Sequence, residues 1–156
     1  MGKQQSNPIT AYYKGDFDKL AEVASKDFPH VGTTHRLVEH YQSGAVTRNC
    51  PNLAEMQPEM FVTISPNLAK KIGVVPGDMV AVSSIRGEIK CRANVLSIVK
   101  PMNIDGQQIE IIGIPWHWGF SGLTTGATAN DITPSVGDAN TQIPESKAFL
   151  CNVRKA

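Results

Sequence analysis

Residues 33–44 read TTHRLVEHYQSG and put an arginine, hydroxyls, amides and a glycine into one short stretch. The Arg36 guanidinium is a planar fork suited to phosphate or carboxylate. Thr34, Gln42 and Ser43 add hydrogen-bonding groups, and Gly44 allows backbone to approach a ligand closely. That inventory suits a large polar ligand joining a diphosphate to a heterocycle. A solvated surface loop has much the same composition, so both readings stay open here. The second cluster is Ile114-Pro115-Trp116-His117-Trp118-Gly119-Phe120, three aromatics around a histidine. It offers either a flat face on which a heterocycle stacks, with Gly119 permitting close approach, or an aromatic plug in a barrel mouth. A third set, Asn130, Thr133, Asp138, Asn140, Thr141, Gln142 and Lys147, is polar but partly explained by turn chemistry.

Other chemistries find no support. The chain has no G-x-x-x-x-G-K, G-x-G-x-x-G, H-E-x-x-H or G-x-S-x-G pattern, which removes nucleotide hydrolysis, a Rossmann site, a zincin and a serine hydrolase. His35 and His40 are five residues apart, neither a helical turn nor one face of a strand, and thus a poor metal pair. Hydrogen-bonded or solvated roles suit all four histidines better. Cys50, Cys91 and Cys151 lack zinc-site or redox spacing, and their odd number argues against a disulfide framework. Cys50 lies in a polar stretch that would expose it. Lys and Arg number 15 against 14 acids, leaving no basic excess for a nucleic acid. No apolar run is long enough to span a bilayer, and the polar first ten residues contain no secretory leader.

The elements that must position these groups are mostly short strands. At 156 residues, with thirteen glycines, ten prolines, 41% hydrophobic residues and a mean hydropathy of −0.17, the chain fits one turn-rich globular domain. A polar arm over 1–15 leads into a short helix over 16–26, with Asp16 as N-cap and Phe28-Pro29 as the stop. Residues 30–52 show neither helical nor alternating periodicity and read as loop. Residues 61–64 read as a strand. Ser65-Pro66 caps a helix over 67–72, which Gly73 ends. A turn over 75–78 precedes a strand over 79–83, and Arg86-Gly87 turns into a long strand over 88–99. Asp105-Gly106 signals a hairpin, residues 109–114 make another strand, and 148–153 close the domain. Many short strands with tight turns predict a small barrel.

The motifs in this order resemble a known family. Residues 34–40 (THRLVEH) with Gln42-Ser43-Gly44 resemble the first cofactor loop of the molybdopterin dinucleotide-binding domain of the dimethyl sulfoxide reductase family. Residues 69–95 (A-x-x-x-G-V-x-P-G-D-x-V-x-V-x-S-x-R-G-x-x-x-x-x-A-x-V) look like that family's C-terminal signature. Residues 114–119 and 137–145 look like the respiratory formate dehydrogenases, and the likeness runs from about Asn7 to the end.

The resemblance implies a mainly β fold, a double-psi β-barrel of the aspartate decarboxylase type with short helices. It would occupy 29–156 behind an arm and short helix over 1–28, and would cap bis(molybdopterin guanine dinucleotide) carrying molybdenum or tungsten. The implied cofactor contacts are Thr34, Arg36, Leu37, His40, Gln42, Ser43, Trp118, Gly119, Asn130 and Lys147. No catalytic or metal-ligating residue is implied on this chain. Family catalytic subunits are several times longer, with an iron–sulfur segment and a metal ligand that have no counterpart here. The chain thus resembles one part of an oxidoreductase converting formate to CO₂. Its expected partners are the remainder of the catalytic subunit and an iron–sulfur subunit, in a periplasmic or membrane-associated complex if it follows the respiratory type. Two rival readings use the same barrel. A self-processing pyruvoyl enzyme requires a Gly-Ser cleavage site, and no glycine here precedes a serine. A cofactor-free protein-interaction module would ignore guanine nucleotides.

Overall fold

The computed structural model describes residues 26–104, 106–119, 121–133, 141, 143, 144 and 146–156. Apart from Lys26, the helix expected over 16–26 lies outside them, as do Phe120 and most of 134–142. Among the described residues eight strands are present: β1 (His30–His35), β2 (Phe61–Ile64), β3 (Met79–Ser84), β4 (Gly87–Val95), β5 (Met102–Ile104), β6 (Gln107–Ile109), β7 (Ile111–Pro115) and β8 (Phe149–Lys155). Short α-helices α1 (Pro51–Met56) and α2 (Pro66–Ile72) lie among these strands.

Six strands close into a barrel in the order β1-β7-β2-β4-β3-β8. β1 pairs parallel with β7 and β2 parallel with β4, while the other four pairings are antiparallel. A late strand, β7, sits between β1 and β2, and β4 sits between β2 and β3. These interlocked crossings are the double-psi arrangement. Closure leaves the barrel itself without a free sheet edge, and its interior is filled by side chains. Val62, Ile64, Leu68, Val80, Val82, Ile112 and Ile114 are fully buried in one core.

Local chemistry explains the readable elements. The Ser65 hydroxyl accepts the Leu68 N–H at 3.0 Å, Pro66 takes the first helical position, and Gly73 ends α2 at φ 69°. β5 and β6 pair antiparallel as the expected hairpin, but as a separate two-stranded sheet.

Two expectations need correction. Residues 30–52 are not simply loop: they hold β1, a 3₁₀ turn (Thr47–Asn49) and the start of α1. In β1 the buried positions are His30, Gly32 and Thr34 while Val31 is only half-buried, so polarity and burial run opposite to the usual pattern. The long strand over 88–99 stops at Val95, where Leu96 donates back to the Ile64 carbonyl and the chain turns. Among the described residues no helix is long and apolar enough to cross a membrane.

Candidate binding rim

Strand polarity decides where the candidate residues meet. The C-terminal ends of β1, β7 and β3 and the N-terminal ends of β2, β4 and β8 all fall at one end of the barrel. Arg36 and Leu37 follow β1 there, Trp116 to Gly119 follow β7, and Lys147 precedes β8. The 3₁₀ turn Ala129–Asp131, which carries Asn130, approaches the β3–β4 turn: a Cβ on Gly87 would stand 3.2 Å from the Asp131 carbonyl. Segments more than a hundred residues apart in sequence therefore share one rim.

Thr34 stitches β1 to the segment before β8, donating from its N–H at 3.3 Å and its hydroxyl at 3.0 Å to the Ser146 carbonyl. Its own carbonyl accepts from the Lys147 ammonium. The Arg36 guanidinium lies over the Trp116 ring, 4.8 Å from its centroid, a cation–π contact. Among the described residues the ion pairs are Arg92–Glu59, Arg154–Glu88 and Lys155–Asp78, so neither Arg36 nor Lys147 has a carboxylate partner there.

Burial is the first cause of the lowered titration of the neighbouring groups, and the nearby cations add to it. Lys147 is held below the usual ammonium range by desolvation and then by Arg36. His117 is lowered by burial, against a raising contact from the Gln42 carbonyl, and further by His40, Arg36 and His35. His35 is lowered by burial, with Lys147 adding to it. Such a rim favours an anion. Beside it, the Nε1 atoms of Trp116 and Trp118 and Nε2 of His35 are buried without a hydrogen-bond partner among the described residues. Buried ring nitrogens of this kind normally find partners.

The remaining candidates divide by exposure. Gln42, Ser43 and Asn130 are exposed and free to reach outward, while Leu37 and Gly119 are half-buried. His40 and Trp118 are buried. His40 Nε2 donates to the Gln57 carbonyl at 3.0 Å and its Nδ1 meets the Thr47 hydroxyl at 3.2 Å, so both ring nitrogens are used within the protein. Trp118 packs edge-on against His40 at 5.2 Å and against Phe61 at 6.4 Å. These two side chains shape the rim from beneath.

Two residues outside the predicted set matter equally. His117 is fully buried and bonds both Leu37 and Gln42, and Arg48 is a buried cation gripping carbonyls after β7. Sequence offered only the aromatic cluster around His117 and no signal for Arg48. Among the described residues no group of three or more His, Cys, Asp or Glu side chains is placed to hold a metal ion.

A closed six-stranded barrel with cations and aromatics gathered at one rim defines a β-barrel domain whose rim suits an anionic ligand. The family model described as "Molydopterin dinucleotide binding domain" matches residues 31–150, and this chain belongs to that family. The chain is 48% identical over 152 residues to the nitrate-inducible formate dehydrogenase major subunit of Escherichia coli (strain K12), covering 97% of this chain and 15% of that protein. It is 46% identical over 135 residues to the formate dehydrogenase subunit alpha of Megalodesulfovibrio gigas, covering 86% of this chain and 13% of that one. Among solved structures, acetylene hydratase from Pelobacter acetylenicus superposes with a TM-score of 0.67 at 18% identity, over 85% of this chain and 19% of the other. That likeness concerns the fold. The chain spans about 15% of the length of the first of these relatives.

Proposed function

We propose that this chain is the dinucleotide-capping domain at the C-terminal end of a molybdenum or tungsten formate dehydrogenase catalytic subunit. Its rim holds guanine dinucleotide from bis(molybdopterin guanine dinucleotide). The cofactor-capping domain is assigned to 29–156. The observation that carries this reading is the pairing of two cations, Arg36 and Lys147, with no carboxylate partner among the described residues, beside buried indole and imidazole nitrogens that lack one too. A diphosphate-linked guanosine supplies both the negative charge and the acceptors that such a set requires.

When bound, the cofactor supplies the metal centre at which formate becomes CO₂ and gives up two electrons. This chain's residues bind and shield. Arg36 and Lys147 hold the diphosphate charge. Gln42, Ser43 and Asn130 bond its sugar and base, Thr34 holds the segment that carries Lys147 in place, and Leu37, Trp118 and Gly119 exclude water from beneath, with His40 fixing the loop. The metal ligand and the group that takes the substrate proton belong to the remainder of the catalytic subunit. An iron–sulfur subunit is the partner that carries electrons away. Arg36→Ala and Lys147→Ala in the complete enzyme are expected to lower both metal content and releasable guanine nucleotide. Full content of both in each variant would overturn the assignment.

A further inference from the structure

We propose that Arg48 and His117 form a two-point clasp that locks residues 36–48 into the loop shape presenting Arg36, Gln42 and Ser43 at the rim. The ligand named for that loop rests on the function proposed above; the clasp itself does not. Both are positioning residues.

The loop has little apolar burial to hold it. Val38, Tyr41 and Val46 are 97%, 69% and 72% exposed. Polar contacts from the segment after β7 take that place. His117 Nε2 accepts the Leu37 N–H at 2.8 Å, and its Nδ1 lies 2.5 Å from the Gln42 carbonyl oxygen. An amide N–H only donates and a carbonyl only accepts, so the ring must be neutral with its proton on Nδ1. The groups facing it, His40, Arg36 and His35, all oppose a further positive charge.

Arg48 makes the second point. It is 4% exposed, and its Nη1 donates to the Ser121 carbonyl and, at 2.9 Å, to the Thr124 carbonyl. Its own carbonyl accepts the Leu123 N–H at 3.0 Å.

Backbone conformation supports the same assignment. Among the described residues, the non-glycines with positive φ are Gln42 at 52° and Ser121 at 67°. These are two of the residues whose carbonyls the clasp grips. L-residues rarely hold that conformation unless their surroundings impose it. Glycines sit where the clasp leaves no room: a Cβ on Gly44 would stand 2.2 Å from the His117 carbonyl, and one on Gly122 would stand 2.9 Å from Arg48 Nη1. A loop ordered in advance costs a ligand less entropy on binding.

The test compares the full chain with His117→Ala, His117→Asn and Arg48→Met by amide hydrogen exchange and by calorimetric titration with guanosine diphosphate. Exchange over 37–48 is expected to speed up about tenfold or more in the Ala and Met variants, with the β2 and β4 amides unchanged. Guanosine diphosphate should bind about tenfold more weakly to them, and His117→Asn should recover part of the loss by restoring a donor to the Gln42 carbonyl. Unchanged loop exchange would overturn the clasp. Wild-type protein that ignores guanosine diphosphate would overturn the ligand, while the exchange rates still decide the clasp. Where the variants fail to fold, nitrogen shifts of wild-type His117 decide: a proton on Nδ1 supports the clasp, and a charged ring or a proton on Nε2 near neutral pH overturns it.

Discussion

Gly44 adopts φ 76°, with the His117 carbonyl 2.2 Å from where a Cβ would stand and the Arg48 side chain 2.9 Å away. Both backbone conformation and space therefore demand glycine there. Gly44→Ala is expected to destabilise the fold by about 2 kcal/mol or more, because backbone and a buried cation must both move. Urea denaturation measures this directly, and a midpoint equal to wild type would show that the loop shape is not fixed as described. A milder substitution probes the other side of the site. Trp116→Ala removes the ring beneath Arg36 while leaving its charge. Guanosine diphosphate binding should then weaken by about 1 kcal/mol, the ordinary worth of a cation–π contact that fixes a guanidinium. Calorimetry would register the change as a fewfold rise in Kd.

At the scale of elements, α2 offers the clearest energetic test. The Ser65 hydroxyl caps its N-terminus and donates to the Glu110 carboxylate at 2.6 Å. Ser65→Ala should cost about 1 kcal/mol through the lost cap. It also removes the Glu110 contact, so a loss near zero in denaturant melts would contradict the geometry.

Elements like α2 were legible because their signals are local: Ser-Pro before, glycine after, apolar residues between. β2 and β3 are legible for a similar reason, β2 as a short apolar run and β3 as alternating apolar and small residues after a turn. β1 was not. Its inward positions are histidine, glycine and threonine because Phe149 fills the space over Gly32, where a Cβ would meet the ring at 2.6 Å, and because Thr34 bonds Ser146. Such partners lie more than a hundred residues away. The same distance hid the clasp. His117 was visible as one member of an aromatic cluster, yet its bonds to Leu37 and Gln42 span 80 and 75 residues. Arg48 had no motif at all, since a buried arginine that pairs with carbonyls instead of a carboxylate leaves no pattern in sequence.

For the whole molecule, acidity should weaken the fold. His30, His35 and His117 are each lowered first by burial, with Lys71, Lys147, and the His40–Arg36–His35 group adding to it respectively. Unfolded, they take up protons near the ordinary imidazole value of about 6.5. Folded, they do so only at lower pH. In that interval the unfolded chain binds more protons, so stability rises with pH and is lost as pH falls below about 6.5. Asp78, held down by the Val75 N–H and by Lys155, adds a loss of the same sign in more acidic solution. A denaturation midpoint that climbed on acidification through this interval would contradict the burial of those rings.

Placement of the candidate cofactor contacts at one end of the barrel gives the molecule a working face, and a guanine nucleotide is the occupant it should take. The chain has two tryptophans, both at that rim, so their two indole N–H signals report on it without ambiguity. The most direct measurement follows those signals, with the backbone amides of Arg36, Asn130 and Lys147, during titration with guanosine diphosphate. Shifts in all of them that saturate together are expected. Shifts confined to another face of the barrel, or none at all at millimolar nucleotide, would contradict it.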